Sequence, residues 1–184
     1  MTRRFAILDR DGTINEDVGY VLHPAEMRLI PGSTEAIRRL RDLGLGIVVV
    51  TNQSPIGRGL LTEERLAHIH DRMRDLLADS GTDVDAIEFC PHTPDDGCSC
   101  RKPATGLVDR ASRLLGFDPA QSFVVGDHAG DMRLGRSIGA TTILVLTGHG
   151  PQECREAEPF ADHTTTDLLA ATQVIGSIID AQGR

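Results

Sequence analysis

Five short apolar runs recur along the chain: Phe5 to Leu8, Gly46 to Val50, Ala86 to Phe89, Phe123 to Val125 and Thr142 to Leu146. Each reads as a strand buried on both faces. Between them, apolar residues repeat at helical spacing. Ala36, Ile37, Leu40 and Leu43 form one set, and Leu66, Ile69, Met73, Leu76 and Leu77 another. Leu107 to Leu115 and a segment holding Met132, Leu134 and Ile138 follow. Strands alternating with helices predict an α/β fold, a doubly wound parallel sheet. At 184 residues the chain is expected to be one domain over 1–184, with no repeat or linker to divide it.

Local signals punctuate these elements. Ser33, Thr62 and Asp167 are predicted N-caps, and Asp118-Pro119 starts a short helix. Gly44, Gly81 and Gly116 are predicted helix ends. Ile14 to Ile30 reads as a long irregular loop, and Thr147-Gly148-His149-Gly150 as a mobile turn with a solvated His149. His68 and His70 read as surface or boundary residues.

The ends of the strands carry the chemistry. Asp9-Arg10-Asp11-Gly12-Thr13 closes the first. Its two acids project to the same side, roughly 6–7 Å apart along an extended chain. Such a pair can hold a divalent cation, with one carboxylate as nucleophile and the other moving a proton. A polar turn would look the same by itself. Thr51-Asn52-Gln53-Ser54 ends the second strand and can donate to a phosphoryl oxygen, although ordinary turns favour the same residues. Arg58 follows, an exposed loop arginine that could face an anion. Asp127 and Asp131 end the fourth strand. Asp127 can complete a metal site, while Asp131 can orient a neighbouring ligand, cap the next helix, or do both.

Two further features bear on this edge. Cys90, His92, Cys98 and Cys100 fall within eleven residues, with a fold-back at Pro94-Asp95-Asp96-Gly97. That spacing fits a closed, structural tetrahedral Zn²⁺ site, and a disulfide or reduced thiols remain open. Cys154 is isolated. Of 19 basic residues only Lys102 is lysine, two positions after the last of these cysteines. A compact ammonium there contrasts with the planar forks used elsewhere.

Composition narrows the classes. Net charge is −8 with no basic cluster, which argues against nucleic acid and anionic membrane as partners. No apolar run of membrane-spanning length occurs, and no secretory segment follows Met1 to Arg4. The expected setting is cytoplasmic. With aromatics at 3%, the core must be aliphatic.

Asp9-x-Asp11-Gly12-Thr13, Thr51-Asn52, Lys102 and Gly126-Asp127-x-x-x-Asp131 resemble the four motifs of the haloacid dehalogenase phosphatase superfamily over nearly the whole chain. The resemblance implies a Rossmann-like core. It implies Asp9 as nucleophile, Asp11 as general acid then base, and Thr51 and Lys102 steadying phosphoryl oxygens. Mg²⁺ would be held by Asp9, the Asp11 carbonyl and Asp127, with Asp131 behind them. The cysteine loop running into Arg101-Lys102-Pro103 is similar to two subfamilies, heptose 1,7-bisphosphate phosphatases and histidinol-phosphate phosphatase domains. Asp17-x-Gly19-Tyr20 and Thr51-Asn52-Gln53-Ser54-x-Ile56-x-Arg58-Gly59 look more like the heptose enzymes. That likeness implies substrate contacts from Asp17, Val18, Gly19, Tyr20, Thr51, Asn52, Gln53, Ser54, Arg101 and Lys102, with no cap domain. The expected substrate is a small sugar bisphosphate, dephosphorylated at C7, and the chain is expected to act as a monomer. Histidinol phosphate or another sugar phosphate is the alternative substrate. A zinc-stapled binding module is the non-enzymatic alternative. Two residues depart from the heptose pattern: His128 replaces a lysine, and Pro55 replaces a glycine.

Overall fold

The computed structural model describes residues 3–182. Strand β1 (Phe5–Leu8) leads through a long loop, with one 3₁₀ turn at Pro24–Glu26, into α1 (Ser33–Asp42). Then come β2 (Gly46–Asn52), the one-turn α2 (Ser54–Gly57), α3 (Glu63–Ala78) and β3 (Ala86–Cys90). The second half runs α4 (Gly106–Leu115), β4 (Phe123–Gly126), α5 (Ala129–Ser137), β5 (Thr141–Val145), α6 (Gly150–Ala157), β6 (His163–Thr165) and α7 (Leu168–Gln182).

All six strands pair in parallel in the order β3-β2-β1-β4-β5-β6. Alternate residues of one strand serve opposite faces. Ala6 and Leu8 pack with Ile47, Val49, Val125 and Val145 under α1, α3 and α7. Phe5 and Ile7 pack with Val48, Val50 and Val124 under α4 and Leu134 of α5. Both faces of the inner strands β1, β2, β4 and β5 are covered, which is why these strands read as near-continuous apolar runs. The chain moves outward from β1 to β3, then returns to β1's other side with β4. The β1/β4 boundary is therefore the switch point, where a crevice opens beyond the strand ends. No cap domain interrupts the described residues: the β1–α1 connection carries only the 3₁₀ turn.

Several expectations change. The N-cap of α1 is Gly32, with Ser33 already in the helix and its hydroxyl unpartnered. Gly32 takes φ of 91°, so the backbone turns there, one residue before the serine. α5 is capped by His128, whose Nδ1 accepts the Gly130 N–H at 3.0 Å. Asp131 closes the capping box from inside the first turn by accepting the His128 N–H at 3.1 Å. β2 continues through Thr51 and Asn52, because both pair with β3. The turn after β5 leads into α6, started by Pro151 in its first turn, and then into a short edge strand, β6. Both were missed because this stretch is polar and buries only Gly150 and Ala157 in α6. Thr62 and Asp118 cap as expected, and Asp167 accepts the Ala170 N–H at 2.8 Å.

Candidate active site

The β1/β4 crevice is a cavity of about 340 Å³. Asp9 leaves the end of β1 and Asp127 the end of β4, and Asp131 rises from α5. Asp9, Asp127 and Asp131 bring carboxylate oxygens within 4.8 Å of one another. Lys102 reaches them from the far side, its Nζ 2.7 Å from Asp9 Oδ1 and 2.6 Å from Asp131 Oδ1. These are ion-pair distances, and the ammonium is buried between the two carboxylates. Burial works against its charge, but Asp131 and Asp9 outweigh burial and raise the lysine's proton affinity.

The acids are crowded. Burial first, then Asp131 and Asp11, lift Asp9 to about 7 against the pull of Lys102. Burial and the charges of Asp9 and Asp131 lift Asp127 to about 8. A divalent cation would relieve this repulsion, and a set of carboxylate oxygens suits Mg²⁺. Asp9 Oδ1 also accepts the Arg10 N–H at 2.7 Å, while Oδ2 has no protein donor among the described residues. Both Asp131 oxygens are engaged, one by Lys102 and one by the His128 N–H. Gly12 and Gly148 have φ of 78° and 53°, and a Cβ on either would collide with Asp127 Oδ2. That carboxylate is thus fenced by two glycines and receives the His149 N–H at 2.7 Å.

Asp11 is held differently. Arg10 Nη2 reaches both of its oxygens at 2.8 Å, and Arg10 Nε reaches both at 3.1 Å. Asn15 Nδ2 and Gln53 Nε2 donate at 3.0 and 2.9 Å. Burial opposes ionisation, yet Arg10 with these amides holds Asp11 below the usual carboxylate range. Gln53 also donates to Thr51 Oγ1 at 2.9 Å, which leaves the threonine hydroxyl proton available.

Arg10 is 1% exposed, and its Nη1 lies 3.2 Å from Nε2 of His70. An arginine can only donate, so Nε2 accepts and the imidazole is neutral. The reading of His70 as a surface or boundary residue is corrected: it is buried, and of the two histidines only His68 is exposed. Its position had a signal. His70 follows Leu66 by four and precedes Met73 by three, on the inward stripe of α3. Arg10, Asn15, His70 and His149 are the polar residues that sequence reasoning did not assign to the site.

The other expected residues divide. Asp17, Gly19, Tyr20, Thr51, Asn52, Gln53, Ser54, Arg101 and Lys102 line the cavity with Arg58, His128 and His149. Val18 does not; it is 56% exposed and faces a second hollow with Ile30, Pro31 and Thr147. Asn52 turns its carboxamide onto the backbone of Lys102.

Beside the cavity, Cys90, His92, Cys98 and Cys100 converge. Cys100 Sγ lies 3.2 Å from both Cys90 Sγ and His92 Nδ1. The Cys90–His92 separation is 3.5 Å, and Cys98 Sγ is 3.6 Å from each of the other sulfurs. A tetrahedral site with ligand bonds of about 2.0–2.3 Å has edges of about 3.3–3.8 Å, so this donor set fits zinc. All four cysteines are free thiols. Burial and the adjacent thiols push Cys90 up to about 12.

A parallel α/β core with acids, a hydroxyl and an ammonium meeting at its switch point defines a haloacid-dehalogenase-like hydrolase. Residues 99–171 match the HAD-hydrolase-like family. The chain is 45% identical to the D-glycero-beta-D-manno-heptose-1,7-bisphosphate 7-phosphatase of Yersinia pestis, covering 91% of this chain and 93% of that protein. With the protein of the same name from Pseudomonas aeruginosa it shares 39%, covering 95% and 99%. The D,D-heptose 1,7-bisphosphate phosphatase of B. bronchiseptica, solved with magnesium and phosphate, superposes with a TM-score of 0.87 at 39% identity, covering 94% and 97%. The chain belongs to the D-glycero-D-manno-heptose 1,7-bisphosphate 7-phosphatase family of haloacid-dehalogenase-like hydrolases.

Proposed function

We propose that this protein is a Mg²⁺-dependent phosphatase that removes the C7 phosphate of D-glycero-D-manno-heptose 1,7-bisphosphate, with the β anomer preferred as in the relatives' names. One observation carries the reading: Asp9 Oδ1 is fixed by Lys102 and the Arg10 N–H while Oδ2 is left free in the cavity. A carboxylate so oriented is placed for in-line attack.

In the first step, Asp9 attacks phosphorus as the bond to the C7 oxygen breaks. Asp11 gives that oxygen its proton, and the sugar leaves as an alcohol. Arg10 holds Asp11 as an anion, so Asp11 first takes a proton from solvent water as the phosphate dianion arrives, whose negative charge raises its proton affinity. In the second step, Asp11 takes a proton from water, the resulting hydroxide attacks phosphorus, and Asp9 departs as a carboxylate. Thr51 Oγ1 and Lys102 Nζ hold the phosphoryl oxygens. Asp9, the Asp11 carbonyl and Asp127 would hold Mg²⁺, with Asp131 fixing Lys102. The ion supplies charge that offsets repulsion between Asp9 and the phosphate. Arg101 is placed to grip the second phosphate by its fork.

Zn²⁺ would be bound by Cys90, His92, Cys98 and Cys100 with no open position, a structural role. Its loop runs directly into Arg101 and Lys102. The same reading has residues 1–184 acting as one domain and a monomer in the cytoplasm, and a single continuous sheet supports the first of these.

Phosphate release from both heptose bisphosphate anomers, histidinol phosphate and fructose 1,6-bisphosphate, with and without Mg²⁺, tests the proposal. The β anomer should give the highest kcat/KM, and chelation should abolish turnover. A preference for histidinol phosphate would overturn the substrate assignment.

A further inference from the structure

The loop from Asp17 to Tyr20 forms one wall of the cavity, and its fixing is unusual. Val18 and Tyr20 are 56% and 42% exposed, so packing holds this segment weakly. Asp17 Oδ1 accepts the Gly19 N–H at 2.7 Å, which shapes the turn from within. Among the described residues, one polar side-chain contact ties Asp17–Tyr20 to another segment. It joins Asp17 Oδ2 to His149 Nε2 at 2.7 Å. Both oxygens of Asp17 are therefore committed, and its side chain is only 13% exposed. This carboxylate is an anchor more than a free ligand for a sugar.

His149 is also attached at its other end. Its backbone N–H donates to Asp127 Oδ2, and the preceding Gly148 packs against Gly12 and Asp127. Thr147 Oγ1 donates to the Gly12 carbonyl at 2.6 Å. The turn after β5 is thus a fifth piece of the site, seated on the nucleophile loop and on Asp127.

We propose that His149 is a positioning residue: its imidazole latches the Asp17–Tyr20 loop over the cavity, and its backbone couples that loop to Asp127. The loop then presents Gly19 and Tyr20 to the sugar at a fixed height. This inference rests on the sugar-bisphosphate reading for its kinetic consequence, and on the contacts alone for its structural one.

His149→Ala removes the imidazole and keeps the N–H on Asp127, so it separates the latch from the metal end. We expect KM for the heptose bisphosphate to rise about tenfold, the scale of one charge-assisted hydrogen bond, with kcat falling no more than about threefold. Turnover of 4-nitrophenyl phosphate, which has no sugar to reach the loop, should fall less than that of the sugar. His149→Gln, which retains a donor, should restore most of the KM. Asp17→Ala, which also removes the acceptor of the Gly19 N–H, should be at least as impaired as His149→Ala, and the double variant should be no worse than Asp17→Ala alone. Amide exchange at Gly19 to Val21 should speed up in His149→Ala, a readout that needs no substrate. Unchanged exchange, or a loss of kcat equal on both substrates with KM unmoved, would overturn the latch. Faster exchange in a protein that never hydrolyses the heptose would uphold the latch and sink only the substrate assignment.

Discussion

The carboxamide of Asn52 brackets the backbone of Lys102: Oδ1 accepts the lysine N–H at 3.0 Å, and Nδ2 donates to its carbonyl at 3.3 Å. The two residues lie fifty positions apart, and the clamp joins the end of β2 to the loop that follows the cysteine cluster. It sets where the ammonium stands between Asp9 and Asp131. Asn52→Ala should lower kcat by about 10- to 100-fold with a smaller change in KM, because misplacing a group by about 1 Å costs on that scale. Steady-state kinetics decide it. A rise in KM alone would mean that Asn52 serves the substrate directly.

Lys102 sits between the buried carboxylate of Asp131 and the largely buried one of Asp9. Lys102→Met leaves both without their cation, and removing one partner of a buried pair costs about 3–5 kcal/mol. We expect a fall in stability of that order by chemical denaturation and an inactive enzyme. Adding Asp131→Asn should recover part of the stability and none of the activity. Lys102→Arg should also be inactive, since a planar fork does not fit a site shaped for a point charge.

His70 gives a pH signature of the fold. Burial and the Arg10 guanidinium lower it to about 3. The unfolded chain takes up a proton near pH 6.5, which the folded imidazole refuses until about pH 3. The folded state therefore loses ground as pH falls from 6.5 towards 3, at up to about 1.4 kcal/mol per unit. His70→Gln keeps an acceptor for Arg10 without the titration. Its stability curve should run flatter than the wild type's over that window in urea titrations, and parallel curves would contradict the assignment.

Zinc occupancy can be read by metal analysis, with about one ion per chain expected and none in Cys98→Ser. That variant should also unfold at lower temperature and lose turnover, because the loop it slackens carries Arg101 and Lys102. A Cys98→Ser protein with normal stability and normal activity would remove the case for a structural metal.

Much of this is legible in the sequence alone. Thr62, Asp118 and Asp167 announce their helices through oxygens that bond an amide two or three residues away. The cysteine cluster is similarly local, closed within eleven residues by the turn at Gly97. Where the sequence misled, a competing local preference had won. Gly32 takes the turn expected of Ser33, and His128 takes the N-cap position that was one of the roles open to Asp131. α6 and β6 bury too little apolar surface to show in a hydrophobic pattern.

The sequence by itself determined that there would be doubly buried parallel strands, and that acids, a threonine and a lone lysine would stand at or near their ends. A strand's composition does not name its neighbour, so only the tertiary structure decided that β4 lies beside β1 and brings Asp127 to Asp9. The same is true of Arg10 on His70, Asn52 on Lys102 and His149 on Asp17, contacts spanning 60, 50 and 132 positions. Caps and metal knuckles form from bonds a few residues long. These contacts exist because burying both faces of the sheet fixed one strand order, and that order carried their side chains to a single edge.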